Sequence, residues 1–366
     1  MKLLIVNETP LVLMARGKKR NSRKVKEDHV DMLKCKIRDE FEQIQKVGAR
    51  QMEKRIKQNQ MVTHGMDEQK RRMYKDIIYT ETSIDNIRVK LVEVQTDTQM
   101  EMFDMVGHLT SSMPQYKIPG CISRILVMDA NSESVLGILQ FTADTLNSSA
   151  KLNYLDTTVK FKQHIRRHSA NMTTCVPVQP FGFNFCGGKL LAMLAFSNEC
   201  YNILYKRTKR PIAMIVTTSI HGKSIQYSRL KQLKYIGLTE GFGTGHIPPR
   251  LVDLCAEFAR KRGFKVKRAS KYTLLRYVLR QIGLNENHLH HGIRRGIYMG
   301  VTSSTSKSFL KQDTSEIKLD KLASAEEITE FWKSRWAKRR YENVTRRVKD
   351  EHSDTRYLRR ARLVNL

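Results

Sequence analysis

PIAMIVTTSIHGKSIQYSRLKQLKYIGLTEGFGTGHIPPRLVDLCAEFARKRG, residues 211–263, decides the fold. Its opening run, Ile212 to Val216, is short and apolar, and it stops in a polar cluster, the pattern of a buried strand. A second run, Leu233 to Leu238, leads into Glu240-Gly-Phe-Gly-Thr-Gly245. A helix then follows. Pro248 and Pro249 suit its first turn, Gly263 suits its stop, and Leu251, Val252, Leu254, Cys255, Phe258 and Ala259 form one apolar face. Strands that end in dense polar loops, followed by a docked helix, predict an α/β sheet. Ligands of such sheets sit outside the carboxyl ends of the strands, although polar loops also cover sheet ends that bind nothing.

Upstream, Ile122 to Asp129 and Val135 to Thr142 flank Ala-Asn-Ser-Glu-Ser, a β-hairpin signal. Lys160 to Arg167 reads as a basic helix. Cys175 to Phe185 reads as extended, because two prolines and the aromatics around Gly182 argue against a helix. Gly187-Gly-Lys189 opens an apolar helix expected over Leu190 to Cys200. It lacks the G-x-x-x-x-G-K-[ST] spacing, and Leu190 places no hydroxyl for Mg²⁺. A tight turn at a helix start is the reading, with a nucleotide phosphate at Lys189 as the alternative.

The two ends of the chain are basic. Arg16 to Lys26 holds seven basic residues and no acid, a segment able to lie along a phosphate backbone or to stand as a solvated linker. Val30, Leu33, Ile37, Phe41 and Ile44 then recur at helical spacing. Phe258 to Arg280 carries nine Lys and Arg and no acid, with Leu274, Leu275, Tyr277, Val278 and Ile282 marking a further helix. Gly296 to Val301 reads as a strand and Ser303 to Ser308 as a polar loop. Ser324-Ala-Glu-Glu327 fits a capping box ahead of Ile328, Phe331, Trp332 and Trp336. From Lys333 to Arg362 there are twelve basic residues against four acids.

The totals agree. Across 366 residues, 66 Lys and Arg stand against 36 Asp and Glu, a formal charge of +30. Such an excess calls for a polyanionic partner, nucleic acid before an anionic membrane, since no apolar span is present. Asn7-Glu-Thr-Pro10 interrupts the apolar start of the chain, so no secretory signal is expected and the location is cytoplasmic. The six cysteines form no C-x-x-C pair, which predicts free thiols. His288-Leu-His-His291 reads as a surface loop, because consecutive histidines cannot all face one ion; no metal is expected.

Four segments carry a family resemblance: CVPVQPFGFNFCGGKLLAMLAFS (175–197), TTSIHGKSIQYSRL (217–230), YIGLTEGFGTGH (235–246), and RRGIYMGVTSSTSKSFL (294–310) followed by WKSRWAKRR (332–340). Together they resemble the DruA-type domain, known from the Druantia anti-phage system and from mobile and viral genomes. The resemblance covers about residues 120–340 and implies an association with the DNA of invading elements. An acyltransferase (GNAT)-like fold, similar to phage DNA-modifying Mom proteins, is the expectation set beside it. In acyltransferases of that class a Gln/Arg-x-x-Gly-x-Gly/Ala loop and a helix N-terminus hold the coenzyme A pyrophosphate. Gly243 and Gly245 would suit that role. Glu240, however, puts a carboxylate where phosphates need a neutral or basic group, and Pro248 and Pro249 remove two backbone donors. Acyl-coenzyme A is therefore disfavoured and the cofactor is left unassigned.

The fold class expected is α/β, a mixed sheet with packed helices: a basic helical segment over 1–95, the α/β domain over 96–322, and a basic helical arm over 323–366. Lys223, Tyr227 and Ser219 are the candidate catalytic residues. Thr217, Thr218, Gly222, Ser224, Gln226, Arg229, Gly243, Gly245, His246, Lys189, Arg294 and Arg295 are the candidate nucleic-acid or phosphate contacts, with His221 also within reach. Each hydroxyl also has a capping or loop-closing reading, and Tyr227 a packing one. Three functions remain: a nucleic-acid-directed enzyme, such as a DNA-modifying transferase; a non-catalytic DNA-binding component of a defence or viral complex; or a structural or packaging protein held to the genome by charge. DNA is expected before RNA, with protein partners and no membrane.

Overall fold

Seven strands build one sheet: β1 (Val89–Glu93), β2 (Cys121–Asp129), β3 (Val135–Ala143), β4 (Ser169–Pro177), β5 (Met214–Ser219), β6 (Lys234–Leu238) and β7 (Gly296–Val301). Their order is β1-β2-β3-β4-β5-β7-β6. This computed structural model describes residues 28–44, 68–80, 83–110, 120–144, 148–220, 222–239, 247–266, 269–289 and 294–349. The chain divides into two compact units, Met1–Met52 with Gly241–Ile293, and Glu53–Glu240 with Arg294–Leu366.

The larger unit holds the sheet, which is mixed, as the sequence predicts. β1 to β4 pair antiparallel in sequence order, β4 and β5 pair parallel, and β7 lies antiparallel between β5 and β6. The expected hairpin is β2–β3. Its turn is fixed by Asp129, whose carboxylate accepts from Ser132 N, Ser132 Oγ and Arg88 N, and β3 is buried from Val135 to Thr142. The sheet has cores on both faces, so successive residues alternate between them. Ile215 and Tyr298 join the large core with Phe103, Phe181, Leu190 and Trp332. Met214, Val216, Ile297 and Met299 face a smaller core with Leu155, Ile165, Phe309 and Leu310.

Four local expectations need correction. The segment 175–185 is not extended throughout: after β4 a one-turn helix, Phe181–Asn184, starts at Pro180, a position where the missing N–H costs nothing. The apolar run 190–200 is split into helices Gly187–Leu194 and Asn198–Thr208. Ser197 causes the break, since its side chain accepts from Cys200 N as the N-cap of the second helix. Thr217, Thr218 and Ser219 belong to β5 and pair with Tyr298, Ile297 and Gly296. The loop at Ser303–Ser308 passes into a short helix, Ser306–Leu310. The capping box is present in full: Ser324 and Glu327 bond each other's backbone at the start of helix Ala325–Trp332. A π-helical turn, Lys333–Ala337, joins it to helix Lys338–Lys349.

The smaller unit is helical where described. The helix over 28–44 buries Leu33, Ile37 and Phe41 in one core with Leu251, Cys255 and Phe258 of helix Pro249–Lys261 and Leu275, Val278 and Ile282 of helix Lys271–Ile282. Gly263 (φ +79°) follows the first of these two helices and Gly283 (φ +75°) caps the second, left-handed positions that glycine adopts without strain. On the outer side of Lys271–Ile282, Arg276 and Arg280 both pair with Glu286, so part of that positive face is neutralised internally. All six cysteines are free thiols. Among the described residues no helix is long and apolar enough to cross a membrane.

Candidate nucleic-acid interface

The central feature of the sheet is its parallel junction. β4 and β5 pair only through Ser169–Met214, Ala170–Ile215 and Asn171–Val216. Beyond that point the backbone ladder ends and side chains take over. Thr217 Oγ1 donates to Met172 O (2.8 Å), and Gln226 Nε2 donates to Cys175 O (2.8 Å) and Cys175 Sγ (3.0 Å). Buried carbonyls that lose their ladder partners need such donors. Tyr227 fills the remaining space. Its ring lies 5.1 Å from that of Tyr298, and its hydroxyl is hydrogen-bonded with Thr217 and Cys175. Burial pushes the Tyr227 hydroxyl well above the usual tyrosine range and the Cys175 thiol up to about 12.

The segment 222–230 is tied down at almost every residue. Gly222 (φ +66°) crosses the start of β7 so closely that a Cβ on Gly296 would stand 2.1 Å from Gly222 O. Ser224 N donates to Tyr298 Oη (2.7 Å), Gln226 N to Ser224 Oγ (3.2 Å), and Ser228 Oγ to Ser224 O (2.6 Å). From below, Lys189 Nζ donates to Ile225 O (2.7 Å) and Ser228 O (2.6 Å) and sits 4.4 Å from the centre of the Trp336 ring. Burial holds the Lys189 ammonium below the usual lysine range, and the charge of Arg229 pushes the same way. Arg335 covers the same indole at 5.2 Å, and Arg340 Nε donates to Phe183 O (2.9 Å) with its guanidinium 4.5 Å over that ring.

Each expected residue can now be placed. Thr217, Ser219, Lys189 and Tyr227 are buried; Thr218, Ser224 and Gln226 are half-buried; Lys223, Arg229 and Arg294 are exposed. Of Lys223, Ser219 and Tyr227, only Lys223 is exposed, with its ammonium 5.4 Å over the Tyr235 ring. Arg295 is half-buried, and its backbone exchanges two hydrogen bonds with Thr239. His221, Glu240, Gly243, Gly245, His246, His290 and His291 lie outside the described residues. Ile225 and Cys175 complete the cluster without having been singled out by sequence. No local pattern marks an exposed apolar residue or a carbonyl that needs a side-chain donor.

The phosphate alternative for Gly187-Gly-Lys189 does not fit this geometry. A Cβ on Gly187 would stand 2.4 Å from the Phe181 ring and one on Gly188 3.0 Å from Gln226. These glycines admit neighbouring side chains, and the helix start is buried under them rather than open to an anion. Lys189 instead holds the 222–230 segment in place. Lys189→Met removes the donor for two carbonyls, and a loss of about 1–3 kcal/mol is expected. Faster tryptic cleavage after Lys223 and Arg229 should accompany it; unchanged stability and cleavage would refute this role.

The comparisons with known proteins match this chain at the level of sequence. The family model described as Druantia protein DruA matches residues 38–312. The curated Druantia protein DruA of Escherichia coli (strain UMEA 4076-1) is 28% identical over 280 residues, covering 69% of this chain and 68% of that protein. No solved structure matches.

Proposed function

The chain belongs to the family described as Druantia protein DruA, and from that membership we propose that it is the nucleic-acid-binding component of a Druantia-type anti-phage defence system. The observation that carries this reading is a rigid polar segment flanked by exposed cations. Lys223 and Arg229 project from it, while Arg335 just before Trp336 and Arg339 and Arg346 beyond it are exposed on the C-terminal helical region. Lys189 and Trp336 join the two regions by direct contact. Cations spaced along a fixed surface can track phosphates, and their number sets the salt dependence of binding. The formal charge of +30 supplies long-range attraction to the same partner.

Binding is favoured over catalysis by where the polar groups point. Thr217, Gln226 and Lys189 spend their donors on backbone carbonyls, and Tyr227 is shut away from solvent. A general acid or base must reach the proton it moves, and these groups are held inward. Any chemistry on the nucleic acid then falls to partner proteins of the defence system, with DNA the expected ligand.

Titration of a fluorescent DNA duplex and single strand across a salt series tests the reading. Lys223→Ala and Arg229→Ala are each expected to weaken binding at low salt and to lower the slope of log K against log salt by about one unit. Slopes and affinities identical to those of the unaltered chain would exclude this surface.

A further inference from the structure

We infer that Ile225 is a wedge that enters between neighbouring bases of the bound nucleic acid, an inference that rests on the binding role proposed above. Ile225 is 84% exposed, whereas the next most exposed large apolar residue among those described, Met32, reaches 57%. Single apolar residues on a surface are ordinary. What sets Ile225 apart is the support beneath it. Its own carbonyl is held by Lys189, and the flanking Ser224 and Gln226 amides donate to Tyr298 Oη and Ser224 Oγ. The Gln226 side chain is anchored on Cys175 and Tyr227 is buried in the core. The segment therefore presents a β-branched side chain, stiff at its first torsion, on a backbone that has little freedom left to lose on binding.

The surroundings identify the occupant. Exposed Lys223 and Arg229 stand on either side of Ile225 in the same segment, and no other residue of 222–230 is a large exposed apolar group. One isolated apolar side chain between cations is too small for the buried centre of a protein interface, which needs several anchors. It matches the apolar wedges, isoleucine among them, that partly unstack a base step while flanking cations hold the phosphates. Lys189 and Tyr298 act as positioning residues for the wedge.

The test uses the full chain and DNA carrying 2-aminopurine, whose fluorescence rises when it is unstacked. The unaltered chain is expected to bind and to raise the signal severalfold. Ile225→Ala should abolish that rise and weaken binding roughly tenfold, the scale of one isoleucine side chain no longer buried, while leaving the salt slope unchanged. Ile225→Phe should restore the signal. If the unaltered chain binds but Ile225→Ala gives the same fluorescence, the wedge is overturned and the binding role stands. If the unaltered chain binds neither duplex nor single strand, the binding role itself fails. Photocrosslinks from position 225 that reach protein rather than DNA would assign Ile225 to a protein contact and overturn the inference.

Discussion

Trp332→Ala is expected to destabilise the sheet-bearing unit by about 3–5 kcal/mol, the range for removing a large aromatic from a closed core. Trp332 is fully buried at the end of helix Ala325–Trp332. Its ring lies 5.6 Å from Phe181, which in turn packs at 5.7 Å on Tyr79 and at 6.0 Å on Phe185. The indole Nε1 also donates to Cys186 O (3.3 Å). One side chain thus joins the C-terminal helices to the segment that precedes Gly187-Gly-Lys189. Alanine leaves a cavity that neighbours on three elements cannot all close. Trp332→Phe should lose less, about 1–2 kcal/mol, because it keeps most of the packing and forfeits the hydrogen bond. Urea unfolding followed by far-ultraviolet dichroism measures both. A loss below about 1 kcal/mol for alanine would show that the C-terminal helices are not integral to this core.

Lys151→Met is expected to cost a similar amount, about 3–5 kcal/mol, for an electrostatic reason. Lys151, on helix Ser149–Leu155, pairs with Asp144 just past the end of β3, and both side chains are almost fully buried. Taking two charges out of water is costly, so the pair adds little net stability while both members are present. Removing the ammonium alone leaves the buried carboxylate without that partner. The double change Lys151→Met/Asp144→Leu should recover part of the loss, because two apolar groups then replace two charges. Unfolding of the two single variants and the double variant forms a thermodynamic cycle. A double variant less stable than Lys151→Met alone would overturn the account.

Much of the fold was legible because its cues are local. The β2–β3 hairpin, the apolar stripe at Leu33, Ile37 and Phe41, the stop at Gly263 and the Ser324–Glu327 box each follow from turn chemistry or periodicity within a dozen residues. The structure departs from the local pattern where a short cue competes with a longer one. The apolar run over 190–200 looked continuous, yet one hydroxyl at Ser197 ended one helix and began the next. The strand character of Thr217 to Ser219 was hidden because their partners, Gly296 to Tyr298, lie some eighty residues away.

By itself the sequence determined the α/β class, the density of polar groups over 217–230 and the strongly basic balance of the chain. Composition and local pattern suffice for those properties. Only the tertiary structure decided which polar groups remain available. It opened the ladder between β4 and β5 after three pairs, turned Thr217, Gln226 and Lys189 towards backbone carbonyls, buried Tyr227, and left Lys223, Ile225 and Arg229 outside. The physical reason is that a buried carbonyl must find a donor wherever the fold strands it. That need is set by strand pairing across the whole chain, and no local pattern records it.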